Sequence, residues 1–337
     1  MTVRPEARKP TVRDVAAEAQ VSVATVSRVL AGASKTVSDR TQKRVLDAAA
    51  RLGYEVNIAA KSLATGRNGN VAVLVPELTN QHFAIIVQSV IHASTRDSMH
   101  VFVADSLNSP REEAPLAAEM LLRSDGLILC SPRSSYKDLH SVLNADKPVV
   151  TINRPFPEAV RASSVRTDVV DATEQIVAGL LQFGHRRFAF VVTGQGSQQN
   201  AIRWGVIQRM VAAAGADAVM ADLSEPLGDL TCELRRLVDC GCTAIVSVND
   251  LTATAVMYAL SEMGLRVPAD ISVSGFDDTP LARWVTPRLT TARMHEEQLG
   301  HAAWEAMKKL LSATPESTNI EFHAEPIFRD STGPCPP

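Results

Sequence analysis

The 337-residue chain predicts two unlike parts: a small all-α head, and an α/β body of two parallel-sheet lobes. Three observations carry this. Residues 11–30, TVRDVAAEAQVSVATVSRVL, repeat apolar positions at helical spacing in two short segments. From Val71 onward the texture changes. The runs VAVLVP, VFVADS, GLILCS, PVVTIN, FAFVVT, AIVSV and ISVSGF alternate with helical stretches at 83–96, 112–123, 168–183, 203–214, 229–239 and 250–263. Runs apolar on both faces and separated by helices are strands of parallel sheets covered on both sides. A body of about 265 residues exceeds one modest lobe, so two are expected. Charge is also divided: residues 1–70 hold 12 Lys/Arg against 6 Asp/Glu, and the remainder 22 against 31.

In the head, Thr11 is placed to cap a helix starting at Val12, with Asp14 as the reciprocal capping carboxylate. Val12, Val15, Ala16 and Ala19 share one apolar face. Gln20-Val21-Ser22 forms a turn, in which Val21 plugs the core and Ser22 caps the next helix. Val26, Val29 and Leu30 then point inward, leaving Val23, Ala24, Thr25, Ser27 and Arg28 outward. A third helix runs from Ser38 to about Leu52 and stops at Gly53 as a left-handed cap. Its Val45, Leu46, Ala49 and Leu52 are expected to close the small core. The pattern alone also fits an amphipathic bundle with no ligand. A basic head on an acidic body favours a nucleic-acid reader, a helix-turn-helix whose second helix enters the major groove.

The segments DVAAEAQVSVATVSRVL, VSDRTQKRVLDAAARLGYEVN and AAKSLATGR, with SVND and GFDD further on, resemble the lactose-repressor (LacI) family of bacterial transcription regulators over about residues 10–330. The resemblance implies a DNA-binding head at 10–56, and a hinge helix and linker at 57–70. It implies a periplasmic-binding-protein-like body at 71–330 that binds an effector and dimerises. Val23, Ala24 and Arg28 stand where family members read bases. Chemically, Arg28 can fork onto guanine O6 and N7, while Val23 and Ala24 suit a thymine methyl. Thr11, Ser22, Thr25 and Ser27 can donate to phosphates. Arg13 and Lys35 are phosphate contacts or solvated surface charges. Two positions depart from the family: Gln20 stands where Gly or Asn is usual in the turn, and Val56 where Pro is frequent. The segment 57–64, NIAAKSLA, is too short to be a stable helix alone. In the family such segments fold on operator DNA, paired with a second subunit. Asn57 would cap the helix, Ala60 would let the two helices approach, and Leu63 would wedge into the minor groove. The alternative is an ordinary linker.

By the same resemblance, the first lobe takes 71–165 plus the helix at 295–311. The second takes 166–292 plus the strand near 319–328, with three crossings between them. Ligands of such folds bind at the carboxyl ends of strands, in the cleft. Asn80, His82 and Phe83 follow the first strand. Asn153 and Arg154 end PVVTIN, Arg203 opens a helix, Asn249 and Asp250 end AIVSV, and Asp277 follows ISVSGF. Asn, Asp and Arg converging there suit the hydroxyls of a sugar. Arg203, Asn249 and Asp277 align with sugar-contacting positions of the family, and Asn153 and Arg154 with a further pair. Asp250 and Asp278 read instead as helix or turn caps. His82 stands where an aromatic often stacks on the sugar, and Met294 where Gln is common.

No run of 18 apolar residues exists, and MTVRPEARKP lacks the apolar core of a secretory leader, so a cytoplasmic, nucleoid-associated protein is expected. The five cysteines show no CxxC spacing and are expected to be reduced. GxSxG and HExxH are absent, and GQGSQQN lacks the Lys of a phosphate-binding loop. Neither an enzyme nor a metal or cofactor is expected. The reading is a ligand-responsive repressor, working as a homodimer or higher oligomer on near-palindromic operator DNA under control of a sugar or sugar derivative. The alternatives are a nucleoside or phosphorylated-metabolite effector, or a binding protein without DNA function.

Overall fold

The computed structural model describes residues 10–30, 37–54, 67–156, 162–194, 196–223 and 230–337. The chain divides into two compact units, Met1–Asn68 and Gly69–Pro337.

The first unit holds α1 (Val12–Glu18), α2 (Val23–Leu30) and α3 (Asp39–Leu52). The Thr11 capping box is formed: Asp14 Oδ2 accepts from both the Thr11 N–H and the Thr11 hydroxyl at 2.7 Å. Ser22 Oγ accepts the Thr25 N–H at 3.1 Å and starts α2. Gln20 adopts φ +50° in the turn, the strained side for any residue with a Cβ. Gly53 ends α3 at φ +61°. Val15, Ala16, Ala19, Val26, Val29, Val45, Ala48 and Ala49 form the core. One expectation is corrected here. Leu46 is 46% exposed, and Ala48 fills the inward place. Positions 45, 48, 49 and 52 follow the i, i+3, i+4, i+7 stripe, and residue 46 lies about 100° off it.

The second unit begins with β1 (Asn70–Val75), α4 (Gln81–Arg96), β2 (His100–Asp105), α5 (Pro110–Arg123), β3 (Leu127–Cys130), α6 (Tyr136–Leu143), β4 (Val149–Ile152) and β5 (Ala162–Asp168). It continues with α7 (Val170–Gln182), β6 (Arg187–Val192), α8 (Gln198–Ala213), β7 (Asp217–Asp222), α9 (Leu230–Asp239), β8 (Ala244–Ser247), α10 (Asp250–Glu262), β9 (Ser272–Ser274), α11 (Pro280–Trp284) and β10 (Thr291–Arg293). Last come α12 (Glu296–Leu311), β11 (Asn319–His323) and β12 (Glu325–Ile327).

Two parallel sheets form, in the orders β11-β5-β4-β3-β1-β2 and β7-β6-β8-β9. In the first, Val71, Val73 and Val75 pack with Ile86 and Val90 of α4 and Trp304 and Met307 of α12. The other face packs Ala72 and Leu74 with Leu121, Leu139 and Leu143. The second sheet is likewise covered on both faces, by Ile176, Leu180 and Ile207 and by Leu234, Val256 and Leu260. Burial of both faces is why these strands read as continuous apolar runs.

The chain passes between lobes after β5, after β10 and after β11. The strand expected near 319–328 in the second lobe is in fact two. β11 pairs in parallel with β5 in the first lobe, and β12 pairs antiparallel with β10. The hydrophobic pattern explains the break: Ile320 and Phe322 pack on the first core, and Ala324 on the second. Among the described residues, no helix is long and apolar enough to cross a membrane.

Candidate functional site

In the first unit, the outward face of α2 presents Val23, at 44% exposure, with Ala24, Ser27 and Arg28, while Thr25 is half-buried. Arg13 is exposed on α1. The capping box shapes what the hydroxyls can do. Thr11 already gives its proton to Asp14, so it can accept but not donate. The Ser22 and Thr25 hydroxyls lie 2.9 Å apart, so one proton joins them and the other remains to be donated outward. Lys35, Val56, Asn57, Ala60 and Leu63 lie outside the described residues.

In the second unit, Asn80, His82, Phe83, Asn153, Arg203, Asn249 and Asp277 line one cavity of about 50 Å³. Each asparagine is fixed by its own oxygen. Asn80 Oδ1 accepts the His82 N–H at 3.0 Å, and Asn249 Oδ1 accepts the Thr252 N–H at 2.7 Å, so both cap helices. Asn153 Oδ1 accepts the Thr167 N–H at 2.9 Å. Their amide N–H groups keep no partner among the described residues and are free to donate to a ligand. Arg203 is buried. Its Nη1 donates to the Val248 carbonyl at 3.0 Å, its guanidinium lies 4.1 Å from the centre of the Phe276 ring, and its Nε has no partner among the described residues. Oδ2 of Asp277 and Oε1 of Gln199 are equally unpartnered and buried. Buried polar groups without partners are costly, so such a set in one cavity marks hydrogen-bonding capacity held for a ligand.

His82 does not offer a stacking face. Its Nδ1 lies 2.8 Å from Glu296 Oε1 and 3.4 Å from Asp277 Oδ1. Burial alone would depress its pKa, but Asp277 and then the Glu296 hydrogen bond outweigh burial and raise it. Burial pushes Asp277 well above the usual carboxylate range, with the His82 charge opposing. His82 and Glu296 belong to the first lobe and Asp277 to the second, so this triad joins the two walls. Asp277 itself stands at φ +117°, in the left-handed region.

Asp250 and Asp278, read from the sequence as helix or turn caps, instead hold other elements together, since Asn249 caps the helix at Asp250. Asp250 accepts the Thr279 N–H at 2.8 Å and the Thr291 hydroxyl at 2.6 Å, and burial raises its pKa to about 7. Asp278 gathers Arg283, Arg293 and Arg329. Arg154 lies outside the cavity. It donates to the Pro132 carbonyl at 2.7 Å and rests over Phe156. Met294 lines the cavity. Sequence reasoning missed Glu77, Asn108, Ser131, Arg133, Thr193, Ser197, Gln199 and Asn200. The strand-end rule itself selects several of them: Asn108 follows β2, Ser131 and Arg133 follow β3, and Thr193 follows β6.

Residues 11–57 match the family described as bacterial regulatory proteins, lacI family, and residues 177–332 match the periplasmic binding protein-like domain. The transcriptional regulator GalS of Salmonella typhimurium is 31% identical over 290 residues, covering 84% of each chain. A solved complex of the transcriptional regulator CelR with cellobiose is 27% identical, with a TM-score of 0.67, covering 96% of this chain and 99% of that one. The lac repressor dimer bound to operator and the anti-inducer ONPF shares the fold at a TM-score of 0.81 and 24% identity, over 97% of this chain and 100% of that one. With a helix-turn-helix head and a two-lobed parallel α/β body, the chain belongs to the lacI family of bacterial DNA-binding transcription regulators.

Proposed function

We propose that the protein is a repressor whose hold on a near-palindromic operator is set by a sugar or sugar derivative bound between the lobes. The observation that carries the effector reading is one cavity in which donors and acceptors from the strand ends of both lobes converge. A polyol offers alternating donors and acceptors to such a set, and Arg, Asn and Asp answer both. The CelR–cellobiose complex, related over nearly the whole chain, supports this class. In this reading Arg28, Val23 and Ala24 read bases, and Arg13, Ser22, Thr25 and Ser27 hold the backbone, while Thr11, its proton given to Asp14, does not bond a phosphate. One head reads too few base pairs alone, so two subunits bind as a homodimer, as the lac repressor does on its operator. The site of action is the cytoplasmic nucleoid.

The effector acts only through its different affinity for two lobe arrangements. The arrangement it favours does not keep the hinge segments 57–64 of two subunits paired on DNA. Released hinge segments are too short to remain helical, so the specific complex weakens. The test is a mobility shift on DNA from the chain's own promoter region, titrated with a panel of sugars and nucleosides and paired with thermal melting of the same protein. A sugar that releases DNA also raises the melting temperature, because it binds the folded state. Release by nucleosides and by no sugar overturns the sugar assignment.

A further inference from the structure

Two arginines face the cavity from opposite walls. Arg133, in the loop after β3, belongs to the first lobe, and Arg203, on α8, to the second. Neither is among the ion pairs within 4.0 Å found in the described residues. Their partners are neutral. Arg133 donates to Asn108 Oδ1 at 3.2 Å and the Ser131 carbonyl at 2.9 Å, and Arg203 to the Val248 carbonyl. The acids around them are mostly engaged elsewhere, although Oδ2 of Asp277 is left without a hydrogen-bond partner among the described residues. Both oxygens of Glu113 accept the Arg133 backbone N–H at 2.9 Å, and one also accepts the Ser134 N–H at 2.6 Å. Glu77 accepts from Thr79 and Asn108, and His82 lies between Asp277 and Glu296. Elsewhere the fold treats an interior guanidinium differently: Arg329, only 12% exposed, meets Asp278 directly.

We propose that the effector carries an anionic group, a carboxylate or a phosphate, which docks between the guanidinium groups of Arg133 and Arg203. This rests on the effector reading above and narrows it to an acidic sugar derivative. A neutral polyol can satisfy the open donors, but it leaves two like charges poorly hydrated in one small cavity. An anion satisfies the same donors and removes the repulsion, and the guanidinium fork matches a carboxylate or phosphate edge. Burial already weighs on both charges. It brings both down to about 10; for Arg203 the Asp277 charge opposes burial, and the Arg133 charge adds to it. Because the two groups stand on different lobes, an anion between them favours one lobe arrangement over another, which is what an effector must do.

The experiment is calorimetric titration of the full chain with matched sets: glucose, glucuronate and glucose 6-phosphate, and galactose, galacturonate and galactose 6-phosphate. Inorganic phosphate, read by thermal shift against chloride at equal ionic strength, is the minimal probe. The expected result is at least tenfold tighter binding for an acidic member than for its neutral parent. That advantage should vanish in Arg133→Gln and return in part in Arg133→Lys, which keeps the charge without the fork. Preference between uronate and phosphate ester identifies the anion. Equal or tighter binding of the neutral parents overturns the inference while leaving the sugar reading intact. So does an acidic preference that survives Arg133→Gln. If no sugar of either kind binds, the sugar reading fails. The phosphate arm then decides: stabilisation by phosphate that Arg133→Gln abolishes supports an anion subsite, and its absence overturns one.

Discussion

Replacing Asp278 with Ala should destabilise the body by about 3 kcal/mol, the lower end of the range for breaking a buried ion pair. The side chain is fully buried and meets three guanidinium groups. They do not count equally. Arg283 and Arg293 are 56% and 40% exposed, so water can take over most of what Asp278 supplies, and each contributes about 0–1 kcal/mol. Arg329, at 12%, has no such recourse and is left as an uncompensated interior charge. Asp278→Asn keeps the volume and one acceptor and should fall between the two. For a body of this size, 3 kcal/mol corresponds to a drop in Tm of about 6–12 °C, well resolved by thermal melting. The effect reaches the cleft, because Asp278 adjoins Asp277 and Arg293 sits at the end of β10, one residue before Met294. Effector affinity should therefore fall with stability. The pH dependence has a defined sign. Burial alone would raise the Asp278 pKa, but the three arginines outweigh it and lower it. Its contribution is then present above the unfolded carboxylate pKa and lost as pH falls through the lower folded value. The wild-type advantage over Asp278→Ala should accordingly shrink in strong acid. A Tm loss below about 2 °C at neutral pH would refute the reasoning, since it would mean Arg329 rehydrates without penalty.

Arg28→Ala should cost about 1–3 kcal/mol at one operator position and relax the base preference there, checked by binding to single-base operator variants; an equal loss on all sequences makes Arg28 a phosphate contact. Arg203→Ala should leave operator affinity unchanged but raise the effector concentration for DNA release more than tenfold, because a buried donor set is lost; a wild-type dose response places the pocket elsewhere. Gln20→Gly should stabilise the head by about 1 kcal/mol by relieving the φ +50° strain, measured by melting of the head's helical signal; a destabilised head would show that the Gln20 side chain contributes more than its strain costs. His82, whose pKa is raised above 6.5, contributes stability that is complete below 6.5 and lost as pH rises through its folded value. The Tm difference between wild type and His82→Gln should thus narrow from pH 6.5 upward, and a difference that does not change with pH would remove His82 from the triad's electrostatics.

The local elements were legible in the sequence because their causes are local. The Thr11–Asp14 box, the Ser22 cap and the Gly53 terminus act within a turn or two. Of the seven apolar runs found in the sequence, all are strands, and all but the edge strand β2, whose Phe102 is exposed, are buried on both faces. The strand-end rule placed Asn80, Asn153, Asn249 and Asp277 at the cleft, since it depends only on where a strand stops. The tertiary structure decided what depends on partners far along the chain. His82 meets Glu296 across 214 positions, which makes the place where relatives often carry a stacking aromatic part of an ion triad. Arg154 and Arg133 both follow strands of the first lobe, yet only Arg133 turns into the cavity, because Pro132 and Phe156 hold the other outside. The split of 319–328 into β11 and β12 follows from two cores competing for adjacent residues, a choice that a single strand pattern does not encode. Three arginines converge on Asp278 from 5, 15 and 51 residues away, and the third, Arg329, arrives only because the chain returns to the second lobe after β11.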